Sequence, residues 1–137
     1  MKRAQIIRLS VGLSILIGLA IAVATLMPPH TLPKAPGGDK LHHFLAFAAL
    51  VLPVASVRPR WCLWAVPLAV AYGGAIELIQ PFVGRRGEWE DVLANTAGAL
   101  AGAALGALLH FWPLRPLRRL WQASAPAHAR RRRDDGR

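Results

Sequence analysis

Four apolar runs, each near the length needed to cross a membrane, fill most of this 137-residue chain. A helix spans a hydrocarbon core of about 30 Å with about 20 residues. Within lipid the backbone must satisfy its own N–H and C=O groups, as a helix does. The runs cover residues 6–27, 40–57, 61–80 and 91–112. Arg58-Pro59-Arg60 and residues 81–90 are connections too short to hold another domain. Short loops make consecutive helices antiparallel neighbours. The expected fold is therefore an all-α membrane protein, an antiparallel four-helix transmembrane bundle formed by residues 1–112. A hydrophobic content of 54% fits that class better than a soluble domain.

The formal charge of +10 suggests nucleic acid until its distribution is read. Lys2, Arg3, Arg8, Arg58, Arg60 and the eight arginines of the tail fall on one side of the membrane. Lys34, Lys40, Arg85 and Arg86 fall on the other, a division of 13 to 4. Positive charge concentrates on the cytoplasmic side, so the topology expected is N-in and C-in. Trp61, Trp64, Trp112 and Trp121 then lie near the cytoplasmic interface, which favours amphipathic rings. The segment from Lys2-Arg3 to Ala22-Val23-Ala24 also has features of a cleavable signal peptide. Its apolar run continues to Met27, long enough to span, and reads as an uncleaved anchor. Residues 113–137 read as a basic cytoplasmic tail, first interfacial through Leu114, Leu117, Leu120 and Trp121, then disordered. Such a cluster attracts anionic lipid. No aromatic-basic interleaving or recognisable module points to nucleic acid. Cys62 is the only cysteine, so no internal disulfide is possible.

Against this apolar background stand Asp39, His43, Glu77, Gln80, Arg85, Asp91 and Asn95. An ionisable group inside a span is expensive, about 2.5–3.5 kcal/mol at a helix centre on insertion scales. The topology brings all seven to the outer face, because the second helix begins there, the third ends there and the fourth begins there. At a rise of 1.5 Å per residue, His43, Glu77 and Asn95 lie only about 5–6 Å inside their helix ends. Asp39/His43, Glu77/Gln80 and Asp91/Asn95 are three or four residues apart, so each pair shares a helix face. The face of Asp91 and Asn95 continues through Gly98, Gly102 and Gly106, small residues that admit close helix packing. Gly73, one turn before Glu77, suggests an inward face on the third helix as well. A purely structural reading competes at each position. Asp39 and Asp91 suit helix N-termini, Glu77 has Arg85 or Lys40 available for neutralisation, and His43 has the option of a packed, hydrogen-bonded role. Convergence favours a site.

The same residues resemble the VanZ-like family. Asp39-Lys40-Leu41-His42-His43-Phe44, Glu77-Leu78-Ile79-Gln80, and Arg85 followed by Asp91, Asn95 and Gly98 match its pattern D-K-x-x-H-F, E-x-x-Q, R-x5-D-x3-N-x2-G. The similarity covers about residues 39–106, with Arg85 or Arg86 as the equivalent arginine. It implies a small multi-pass protein of the bacterial cytoplasmic (inner) membrane. The family's namesake is associated with teicoplanin resistance, and the resemblance supplies no catalytic assignment.

Three functions fit these residues. In the first, the outer site binds a lipid head group or an amphiphile, such as a lipid-linked envelope precursor or a lipoglycopeptide. Lys40 and Arg85 engage its phosphate or carboxylate, oriented by Glu77, Gln80 and Asn95. In the second, a membrane-embedded enzyme uses His43 as general acid or base, with Asp39 or Glu77 setting its tautomer. A divalent ion held by Asp39, His43, Glu77 and Asp91 belongs to that alternative. Without HExxH spacing or a nucleophile elbow, the leading expectation includes neither metal nor cofactor. In the third, Glu77 serves a small proton-coupled transporter, and a homodimer formed through the glycine face builds the pathway.

Overall fold

The computed structural model describes residues 3–27 and 38–111 and contains four long helices. They are α1 (Arg3–Leu26), α2 (Asp39–Val57), α3 (Cys62–Ile79) and α4 (Trp89–Phe111). All four are long and apolar enough to cross a membrane, and their limits fall within a few residues of those expected. The α2–α3 and α3–α4 connections each contain a 3₁₀ turn, Pro59–Trp61 and Gln80–Val83. The second ends at Gly84, whose φ of 77° places it in the left-handed region that glycine enters without strain. That reversal directs Arg85 back toward the bundle, with its N–H donating to Gln80 O at 3.1 Å. Trp112, Trp121 and the tail expected at 113–137 lie outside the described residues.

Several serine and threonine hydroxyls in the spans are satisfied by carbonyls of their own helices, in keeping with a solvent that offers no hydrogen bonds. Ser10 Oγ donates to Ile7 O at 2.9 Å, Thr25 Oγ1 to Ile21 O at 2.7 Å and Thr96 Oγ1 to Val92 O at 2.8 Å. Large apolar side chains instead point outward: Leu9, Leu13, Leu16 and Leu19 on α1, and Leu63 and Leu68 on α3, are exposed. In a bilayer these surfaces contact lipid tails, which are as apolar as the side chains themselves.

Consecutive helices are antiparallel, but the most extensive contact joins α2 to α4, which run in the same direction. The glycine ladder explains this approach. A Cβ on Gly98 would collide with Phe44 O, one on Gly102 with Ala48 O, and one on Gly106 with Ala55 Cβ. The backbones of the two helices therefore touch directly, and the ladder is spent within the chain. A dimer through this face, as the transporter reading requires, has no free glycine surface to use. Helices α2 and α3 each contact the other three helices, whereas α1 and α4 do not approach within 8 Å between Cα atoms. Helix α1 is fastened by Tyr72, whose hydroxyl donates to Gly18 O at 2.6 Å. The apolar core between the helices consists of Ile21, Phe47, Val51, Ala55, Ala69, Ile76 and Ala99.

Candidate functional site

Each inward stripe changes character in its last turn toward one end of the bundle. On α2 the buried stripe is Ala55, Val51, Phe47 and then His43. On α3 it is Ala69, Gly73 and then Glu77, followed by Gln80 in the 3₁₀ turn. On α4 it is Gly106, Gly102, Gly98 and then Asn95 and Asp91. Spacings of three and four residues keep these groups on one face, so the apolar core is capped by a polar layer drawn from three helices. His43, Glu77, Gln80, Asp91 and Asn95 are all buried, with Gln80 and Asn95 each 1% exposed.

His43 is the centre of this layer. Its Nδ1 lies 3.0 Å from Asn95 Oδ1. An amide oxygen only accepts, so this contact places a hydrogen on Nδ1; in the neutral ring Nε2 then carries the lone pair. Three carboxylates surround the ring: Glu77 Oε1 is 3.9 Å from Nδ1, while Asp91 Oδ2 and Asp39 Oδ1 are 3.7 and 3.9 Å from Nε2. Asp39 is exposed and forms the aqueous mouth of the cluster; Asp91 and Glu77 form its floor. Glu77 Oε1, Asp91 Oδ1 and Asn95 Nδ2 are buried without hydrogen-bond partners among the described residues. Buried polar atoms ordinarily find a partner, and three of the five such unpaired atoms among the described residues fall in this one layer.

The remaining contacts hold the layer in place. Glu77 Oε2 accepts the Glu88 N–H at 3.2 Å, which ties the start of α4 to the end of α3. The Gln80 amide orientation that matches its surroundings donates to Glu77 Oε2 at 2.9 Å and to Arg86 O at 3.1 Å. Arg85 Nη1 donates to Ala24 O at 3.3 Å, and its Nη2 lies 3.9 Å from Asp39 Oδ2. Ala24 belongs to the last turn of α1, where carbonyls lack helical partners and a cation complements the dipole. That turn contains no basic residue of its own. Lys40 Nζ sits at the exposed rim, 3.4 Å from Glu88 Oε2 and 4.0 Å from Glu90 Oε2.

The seven polar residues and Lys40 thus meet at one end, but their pairing differs from the sequence reading. Neither Arg85 nor Lys40 neutralises Glu77: Arg85 reaches α1 and Asp39, and Lys40 reaches Glu88 and Glu90. Of the adjacent arginines, Arg85 turns into the cluster while Arg86 is exposed. Asp39 does not act as a side-chain cap; Gly38 occupies the N-cap position without a side-chain bond. The sequence reading missed Glu88, Phe47 and Tyr72. Glu88 sits in a loop with no period to identify it, whereas Phe47 lies one helical turn after His43. Phe47 and Tyr72 form a tilted ring pair at 6.1 Å under the polar layer.

Beside the cluster, a groove of about 600 Å³ runs between α3 and α4. Ala71, Gly74, Ala75 and Leu78 line one wall, and Trp89 and Val92 line the other. Small residues on α3 leave the space, since a Cβ on Gly74 would meet nothing within 4 Å. Glu77 and Glu88 bound its polar end, so Glu77 belongs to both groove and cluster.

Comparison with curated proteins and comparison with solved structures each give no match. The VanZ/LLP1 family model, by contrast, matches residues 5–110, taking in all four spans and every residue of the polar layer. The chain belongs to the VanZ/LLP1 family and is a multi-pass membrane protein.

Proposed function

We propose that this protein binds one amphiphile, holding the head group at the rim of the polar layer and an apolar chain in the α3–α4 groove. The observation that carries the reading is the shared position of Glu77, where a lipid-sized apolar groove runs directly into a buried polar cluster. Ligand sites combine an apolar lining with a few placed polar groups in this way. Lys40 is the cation available to a phosphate or carboxylate. Its present partners form exposed ion pairs, which are worth at most about 1 kcal/mol and exchange readily. Arg85, held between Ala24 O and Asp39, orders the rim beside it. With the N-terminus inside, as the lysine and arginine distribution directs, the site opens to the outer leaflet of the cytoplasmic membrane. Lipid-linked envelope precursors and lipoglycopeptides are then the amphiphiles within reach, and tolerance of the latter is the expected phenotype.

Gly74→Leu tests this directly, because the open Cβ position lets a larger side chain fill the groove without striking the backbone. Native mass spectrometry of the detergent-purified parent, incubated with a phosphate-headed lipid, should show one retained lipid that this variant loses. Gly12→Leu, at another open position, should retain it. Equal retention by all three proteins overturns the reading.

A further inference from the structure

Arg85 and Lys40 supply positive charge at the rim, but the three carboxylates around one imidazole leave a place for a further cation among them. The arrangement of donors identifies what that is. With Nδ1 engaged by Asn95, His43 Nε2 faces Asp39 Oδ1 and Asp91 Oδ2, and in the neutral ring it presents its lone pair to them. One donor atom from each of Asp39, His43 and Asp91 falls within 4.8 Å of the others. With the ring neutral, these three groups are electron-pair donors turned toward one point, an arrangement that suits a cation. Metal–nitrogen and metal–oxygen bonds of about 2.0–2.2 Å place two ligands of one ion roughly 3–4 Å apart, and the two carboxylate oxygens stand 3.7 and 3.9 Å from Nε2.

Two further observations support a ligand over a mere acidic cluster. Asp91 is 3% exposed, yet its Oδ1 has no hydrogen-bond partner among the described residues. Metal-binding histidines characteristically donate their other ring N–H to a fixed acceptor, which sets the tautomer and the ring orientation. Asn95 Oδ1 holds His43 in that manner. We infer that Asp39, His43 Nε2 and Asp91 bind one divalent first-row metal ion, with Asn95 orienting the imidazole. One nitrogen and two carboxylate donors suit manganese, iron or zinc better than the soft ions that thiolates select. Asp39 closes the site on its exposed side, so a phosphate or carboxylate oxygen arriving at the rim has a direct approach to the ion. This last step rests on the amphiphile reading; the metal site itself does not.

The experiment uses the full-length protein in detergent, stripped with a chelator and desalted, with no lipid added. Mn²⁺ or Zn²⁺ is then supplied, and bound metal is counted by elemental analysis and by the loss of the free Mn²⁺ electron-spin-resonance signal. The parent should hold about one ion per chain that Asp39→Asn and Asp91→Asn lose, while Glu90→Gln, a rim carboxylate outside the donor set, keeps it. Asn95→Ala should weaken binding by about 10–100-fold, the usual effect of removing such an orienting partner. Asp39 is exposed, so its amide variant remains informative if Asp91→Asn fails to fold. A parent that binds no more metal than Asp39→Asn overturns the inference. A parent that binds metal but loses no lipid on Gly74→Leu upholds the ion and overturns the groove.

Discussion

The contact between α2 and α4 makes an unusual demand on Gly98, and Gly98→Ala exposes it. A Cβ at this position strikes Phe44 O and comes within 2.9 Å of Phe44 C and 3.0 Å of its Cα. These are backbone atoms, so no rotamer change relieves the clash; the helices must separate. Restoring ordinary carbon contacts of 3.4 Å or more requires a shift of several tenths of an ångström, and the carbonyl oxygen requires more. Overpacking of this kind costs about 1–3 kcal/mol. Phe44 follows His43 directly and Gly98 lies three residues beyond Asn95, so the same shift stretches the 3.0 Å His43–Asn95 contact. The control is Gly12→Ala on α1, where a Cβ meets nothing within 4 Å. There the substitution removes only the helix-interior penalty of glycine, and stability should hold or rise by up to about 1 kcal/mol. Reversible unfolding in mixed micelles, followed by circular dichroism, compares the two. Opposite signs are expected, with Gly98→Ala destabilised and Gly12→Ala neutral or stabilised. A Gly98→Ala protein as stable as the parent would refute the direct backbone contact between these helices.

Four other outcomes follow from named contacts. Glu77→Ala should destabilise the bundle by about 1–3 kcal/mol because it strands the partly buried Glu88 N–H and the buried Gln80 amide; Glu77→Gln, which keeps an accepting oxygen, should recover most of that loss in the same unfolding assay. Tyr72→Phe removes the 2.6 Å bond to Gly18 O and should cost about 0.5–1.5 kcal/mol, read as earlier proteolysis of α1. Lys40→Ala breaks only exposed ion pairs and should change stability by less than about 1 kcal/mol while reducing retention of the phosphate-headed lipid. For orientation, an impermeant maleimide applied to intact cells should label Glu90→Cys and spare Arg60→Cys, both in a Cys62→Ser background.

Periodicity and length carried the helices far. The four spans are legible because lipid admits few backbone solutions, and Asp91, Asn95 and the glycines share a face for the simple reason that three and four residues make a helical turn. The partner of that face was not legible. Short loops point to sequential neighbours, whereas the closest packing follows backbone bulk, and the glycines of α4 meet Phe44, Ala48 and Ala55 on parallel α2. Charge pairing was also hidden. Glu77 looks available to Arg85 by sequence distance, but the left-handed Gly84 redirects the loop, and the bare carbonyls ending α1 draw Arg85 away. The groove escaped notice for a different reason: Ala71, Gly74 and Ala75 look like ordinary apolar helix residues until their neighbours show that nothing fills the space above them.

The most direct test of the account is to locate a bound amphiphile in the fold. A phosphate-headed lipid with a photoactivatable diazirine in its tail, irradiated with the protein in nanodiscs and mapped by peptide mass spectrometry, reports which residues lie beside the chain. Cross-links concentrated at Ala71, Gly74, Ala75 and Val92, and competed away by excess unlabelled lipid of the same head group, are the expected result. Cross-links spread over Leu9, Leu16, Leu63 and Leu68 in proportion to exposed surface, with none enriched in the groove, would contradict it.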